Sequence, residues 1–134
     1  MEKKSFKPQL QSINEIQTFV GKSLQGKAID KKGTFKINLL IEEVVLNIVN
    51  YAFKDFKKGN INIEIDTQGD KIFLNILDNG TPFNLLKAEM PDVKASLENR
   101  EPGGLGIFFI KQIAKSIEYS YKNGKNCISL IIEV

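Results

Sequence analysis

The 134-residue chain contains no histidine. Without an imidazole it can have no His general base, no phosphohistidine of its own and few kinds of zinc site. Cysteine occurs once, at Cys127, in an apolar strand-like setting. An internal disulfide is therefore excluded, and a small packed residue is expected there rather than a nucleophile or ligand. No stretch approaches the roughly 20 apolar residues of a membrane span, and Met1-Glu2-Lys3-Lys4-Ser5-Phe6 has no apolar run behind its charges, so neither a span nor a leader is expected. A basic block is also missing: the net charge of +3 comes from dispersed lysines. That distribution gives no reason to expect nucleic-acid or membrane binding, and it leaves a modest positive field for an anionic ligand. A reducing cytoplasm is the expected compartment.

What is present suits one globular domain over residues 1–134: 42% of the residues are hydrophobic and 26% charged, enough to bury a core. The organising stretch is Leu39 to Phe53, too long for a strand and too apolar for a surface helix. On a helical wheel Glu43, Asn47 and Asn50 fall within roughly 60° of one another, between two apolar flanks, whereas Glu42 lies off this stripe. A carboxylate among apolar residues needs a polar counterpart, because desolvating it alone costs several kcal/mol. A neighbouring loop or a lysine could supply one; so could a ligand.

Along the chain, residues 3–10 suggest a short edge strand ended by Pro8. Ser12-Ile13-Asn14-Glu15 has the spacing of a capping box and predicts a helix over about 12–25, ended near Gly26. A linker over Lys27–Gly33 leads to a long helix over about 34–54. Alternating residues Ile61–Asp66 and Lys71–Asp78 predict a hairpin packed on helices through one face. Residues 84–102 show no sustained period, which suits a lid or binding loop. A helix over 107–115, a strand near 117–121, a turn at Asn123-Gly124 and a closing strand from Cys127 to Val134 complete the chain.

Three short segments carry chemistry, each with a plain structural alternative. Gly103-Gly104-Leu105-Gly106 precedes an apolar helix, where backbone N–H groups can meet an anion, although such glycines also serve ordinary turns. Neither the G-K-[ST] of a P-loop nor the G-x-G-x-x-G of dinucleotide sites is present. Asp78 ends a strand and could accept a hydrogen bond from an exocyclic amine, or simply form an Asx-turn. Glu43 and Asn47 make the third segment.

In this order and spacing the segments resemble the ATP-binding boxes of the Bergerat-fold, histidine-kinase-like ATPases, a group that includes histidine-kinase catalytic domains, Hsp90 and gyrase ATPases, and anti-sigma-factor serine kinases. Glu43-Val44-Val45-Leu46-Asn47 is similar to the E-x-x-x-N box, Asp78-Asn79-Gly80-Thr81-Pro82-Phe83 to the D-x-G-x-P-F box, and Gly103-Gly104-Leu105-Gly106-Ile107 to the glycine box after the lid. With Asn50-Tyr51-Ala52-Phe53, the whole looks most like the stand-alone anti-sigma-factor serine/threonine kinases. The resemblance implies an α+β fold, a two-layer sandwich of a mostly antiparallel mixed sheet with helices on one face and an ATP lid. It implies ATP and Mg2+, with Asn47 on the metal, Glu43 as general base and Arg100, or Lys94, as a lid cation. Asp78 would read the adenine amine, Gly80 would admit the base, and Gly104, Leu105 and Gly106 would shape the phosphate loop. Asn50 stands where many relatives have histidine.

By the same resemblance, the partner is a STAS-domain antagonist bearing a target serine or threonine, with a sigma factor as a second partner and a homodimer as the expected assembly. Two other readings follow from the same boxes. One is a nucleotide-controlled binding module with little turnover; the other is an ATPase of the Hsp90 and gyrase kind, which couples hydrolysis to further domains.

Overall fold

The computed structural model describes residues 1–54, 58–87 and 104–134, with 104–107 and 109 described by their backbone alone. The strands are β1 (Glu2–Phe6), β2 (Ile61–Gln68), β3 (Lys71–Asp78), β4 (Ser116–Lys122) and β5 (Lys125–Glu133). The helices are α1 (Ser12–Ser23), α2 (Lys31–Asn47) and α3 (Gly104–Ile113). Among the described residues the sheet runs in the order β1-β2-β3-β5-β4, and every pairing is antiparallel. The expected parallel element of a mixed sheet is therefore not found there. The α+β architecture with helices on one face is as expected.

Period-two alternation builds the sheet. Ile61, Ile63 and Ile65 of β2, Ile72, Leu74 and Ile76 of β3, and Ile128, Leu130 and Ile132 of β5 are all buried on one face. The register aligns Ile63 with Ile76 and Ile76 with Ile128, so the apolar rows continue across three strands. Against this face lie Ile16 and Val20 of α1, Leu40, Ile41, Val44 and Val45 of α2, and Ile110 of α3. Each such side chain contributes about 1.5–3 kcal/mol when fully buried, which makes this layer the main source of stability.

Helix boundaries depart from the sequence expectation in three places. Ser12 is not a cap: it is fully buried and its hydroxyl donates to the Lys7 carbonyl at 2.7 Å, while Gln11 occupies the cap position with no side-chain bond. At α2 the helix starts three residues early, because the Asp30 carboxylate accepts from the Gly33 amide at 2.7 Å and caps it. Helix α3 begins at Gly104, so Gly104, Leu105 and Gly106 lie in its first turn rather than in a loop before it.

The far end of α2 is also modified. After Asn47 the chain makes a π-helical turn over Ile48–Ala52, closed by the Phe53 amide on the Ile48 carbonyl at 3.2 Å. Such turns widen the helix by one residue and often mark functional positions. Asn50 lies within this turn and is exposed, whereas Asn47 is buried. The turn also frees the Ala52 carbonyl, which accepts from the Thr81 amide at 2.8 Å. Among the described residues no helix is long and apolar enough to cross a membrane.

Candidate functional site

Glu43 and Asn47 lie one turn apart on α2. The Asn47 side chain is 4% exposed, and its Nδ2 donates to the Glu43 main-chain carbonyl at 2.6 Å. That bond fixes the amide orientation, because only the NH2 end can face a carbonyl. Asn47 Oδ1 forms no hydrogen bond with any described residue. Glu43 Oε2 is buried without a partner, the one such side-chain atom among the described residues. Burial raises the proton affinity of Glu43 above that of an ordinary glutamate, and the neighbouring charge of Glu42 adds to the effect. Among the described residues, neither a lysine nor a loop supplies the counterpart that the sequence called for.

Asp78 closes β3 and is 1% exposed. It does form an Asx-turn, with the Gly80 amide donating to Oδ1 at 2.9 Å. The same oxygen accepts from Asn126 Nδ2 at 2.9 Å. Burial raises its proton affinity, and the two hydrogen bonds oppose that shift. Both bonds end on Oδ1.

The loop from Asp78 to Phe83 docks on the end of α2. A Cβ placed on Gly80 would stand 2.6 Å from the Ala52 carbonyl oxygen, so a side chain is excluded by backbone rather than by a movable group. Asn79 Oδ1 accepts from the Asn60 amide at 2.8 Å and ties the loop to the start of β2. The Phe83 ring stacks on Tyr51 of the π turn, with centroids 5.0 Å apart and planes 19° from parallel. Thus the E-x-x-x-N helix and the D-x-G-x-P-F loop form one rigid corner.

Residue 126 completes that corner and was not singled out by sequence reasoning. Asn126 is 2% exposed, and besides Asp78 it donates to the Thr81 carbonyl at 3.0 Å and accepts from the Phe83 amide at 2.9 Å and the Tyr119 hydroxyl. The available signal was a polar residue at an inward position of an otherwise apolar strand. Tyr119 is in turn held neutral to higher pH, first by burial and then by the nearby Asp78 charge.

Helix α3 packs against α2 and brings the backbone of Gly104, Leu105 and Gly106 into the same layer. Arg100 and Lys94, with most of the expected lid over 84–102, lie outside the described residues. No cluster of three or more acidic, cysteine or histidine ligands occurs among the described residues. Asn47 Oδ1 is nevertheless the right atom type for a hard cation, and Mg2+ commonly takes one or two protein oxygens with phosphate and water as the rest.

The histidine kinase-like ATPase domain profile matches residues 6–132, nearly the whole chain. The chain belongs to the histidine kinase-like ATPase family. Membership in this family implies ATP binding. Among curated relatives, this ATPase domain is 27% identical over 96 residues to the serine/threonine-protein kinase BtrW of Bordetella bronchiseptica, covering 72% of the chain and 68% of BtrW. It is 31% identical over 96 residues to the serine-protein kinase RsbW of Listeria monocytogenes, covering 69% of the chain and 61% of that protein. The alignment thus spans about three fifths of the Listeria relative. The fold is shared with the RsbU and RsbW domains of a Mycobacterium tuberculosis protein, at a TM-score of 0.60 and 12% identity over 99% of this chain and 32% of that one. It is also shared with the catalytic domain of the histidine kinase ThkA, at a TM-score of 0.56 and 16% identity over 99% and 97% of the two chains.

Proposed function

We propose that this ATPase domain is a serine/threonine protein kinase that uses Mg-ATP to phosphorylate a hydroxyl on a small STAS-domain antagonist, as part of a switch that controls a sigma factor. The observation that carries the reading is the buried, unpartnered Glu43 Oε2 on the same face as Asn47. A chain that leaves one carboxylate oxygen unsatisfied in its interior loses stability, and such a cost is characteristic of functional positions. The names of the kinases it resembles support the same activity.

In this reading Asn47 Oδ1 ligates the metal, Asp78 accepts from the adenine amine, and the amino end of α3, with Gly104, Leu105 and Gly106, faces the phosphates. A metal held at Asn47 Oδ1 would supply positive charge to offset that of the phosphates. Glu43 takes the proton of the attacking serine or threonine hydroxyl as its oxygen bonds to the γ-phosphorus. The bond from that phosphorus to the bridging oxygen breaks, and ADP leaves with the electron pair. A raised proton affinity suits Glu43 to this task, since the carboxylate binds the incoming proton more tightly than an exposed one. Arg100 is assigned the stabilisation of charge on the transferred group.

The test is incubation of the full chain with ATP, Mg2+ and a candidate STAS protein, followed by intact-mass measurement of the partner. Gain of one phosphoryl group on a serine or threonine, with stoichiometric ADP, is expected. Partner affinity that differs between ATP and ADP without any transfer would replace the kinase reading with a nucleotide-controlled binding module.

A further inference from the structure

The register of the sheet places Asn126 directly opposite Asp78. Asn126 uses all of its hydrogen-bonding capacity: two donations, to Asp78 Oδ1 and the Thr81 carbonyl, and two acceptances, from the Phe83 amide and the Tyr119 hydroxyl. Its orientation is settled by chemistry. A flipped amide would set oxygen against the Asp78 and Thr81 oxygens and N–H against the Phe83 N–H.

We propose that Asn126, braced by Tyr119, is a positioning residue that aims the Asp78 carboxylate at the base and thereby sets the preference for a 6-amino purine. This rests on the reading of the site as an ATP site. The Gly80 amide and the Asn126 amide both end on Asp78 Oδ1, and Oδ2 forms no hydrogen bond with any described residue. Two donors on one oxygen fix the rotation of the carboxylate, whose terminal torsion is otherwise broad. The Gly80 amide alone, two residues further along the same turn, supplies a single donor and leaves that torsion less defined. A carboxylate oxygen held this way accepts from an exocyclic amine and meets a 6-oxo group as acceptor against acceptor. Tyr119 acts one step further out. Its hydroxyl occupies the second acceptor site of Asn126 Oδ1 and keeps the amide from turning.

The test is calorimetric Kd measurement for ATP and inosine triphosphate, which differ by amino against oxo at one ring position, on wild type, Asn126→Leu and Tyr119→Phe. Wild type is expected to favour ATP by about a hundredfold or more, as sites built to hydrogen-bond one group reject its replacement. Asn126→Leu should weaken ATP by about tenfold while moving inosine triphosphate less than about twofold, and Tyr119→Phe should narrow the ratio by about threefold. A merely structural role lowers both affinities alike. An unchanged ratio in the variants, with wild type discriminating, overturns the inference alone; wild type that binds both nucleotides equally overturns it together with the ATP reading. If Asn126→Leu does not fold, the ratio in Tyr119→Phe decides.

Discussion

Asn47 and Glu43 are joined by a 2.6 Å hydrogen bond from the Asn47 side chain to the Glu43 carbonyl, one helical turn back. A polar side chain that returns to its own helix satisfies its NH2 without help from the core. Its oxygen is then left for something that the described residues do not provide. The same turn holds the unpartnered Glu43 Oε2, so two oxygens on one face of α2 lack protein partners among the described residues.

Replacing Asn47 by Ala removes the oxygen and leaves the helix, since alanine is the best helix former. Calorimetry with Mg2+ and with EDTA should show ATP affinity that falls by about tenfold in the presence of metal, the loss expected for one charge-assisted contact. Without metal, wild type and variant should agree. Equal affinity in both conditions would remove Asn47 as the metal ligand.

Gly80→Ala drives a methyl group into the Ala52 carbonyl. Overpacking against backbone costs about 1–3 kcal/mol, so thermal unfolding should show Tm lowered by several degrees. Because the Asp78–Phe83 loop must lift off α2 to make room, nucleotide affinity should fall as well. A variant with wild-type Tm would mean that the corner is not tightly packed.

Asp78→Asn keeps an Oδ1 that can accept from both Gly80 and Asn126, so the fold should survive. The second position of the side chain then becomes a donor facing the adenine amine. ATP affinity is expected to drop by about tenfold or more, with inosine triphosphate gaining in relative terms. Circular dichroism that matches wild type, with ATP binding also unchanged, would refute the base-reading role.

The proton affinity of Glu43 is raised in the fold, with burial as the larger cause. The native state therefore holds its proton at a pH where the unfolded chain has released it. Stability from this group is full below the ordinary glutamate value of 4.5 and declines as pH rises through that value to the raised one. Glu43→Gln should accordingly melt above wild type at neutral pH in the nucleotide-free state, by about a degree or two, a small effect because the side chain is only partly buried. The advantage should vanish below pH 4.5. Identical melting at both pH values would mean that the carboxylate is not desolvated.

Much of the fold was legible because it is written locally. The alternation of Ile61, Ile63 and Ile65, and the twin apolar flanks of α2 around Glu43 and Asn47, report directly on which faces are buried. The box residues Asp78 and Gly80 were legible as a pattern, and their turn was visible as an Asx alternative. What escaped notice depends on contacts distant in sequence. Asn126 reads as one polar residue in a strand until β5 pairs with β3 and sets it beside Asp78, with Thr81 and Phe83 in reach. Ser12 matched a capping pattern, yet the Lys7 carbonyl competes for its hydroxyl because the chain between them turns back. The π turn after Asn47 has no sequence signature, so the regular helical wheel that grouped Asn50 with Glu43 and Asn47 does not describe residues 48–52.

The most direct test compares initial rates of phosphoryl transfer from labelled ATP to the STAS partner for wild type and Glu43→Gln, with ATP affinity measured on the same samples. Glutamine keeps the size of the side chain and removes its capacity to take a proton. The predicted result is a rate lower by about 10²–10⁴-fold with ATP affinity within about threefold of wild type. Equal rates in the two proteins would contradict the assignment of Glu43 as the base and, with it, the account of why its oxygen is buried alone.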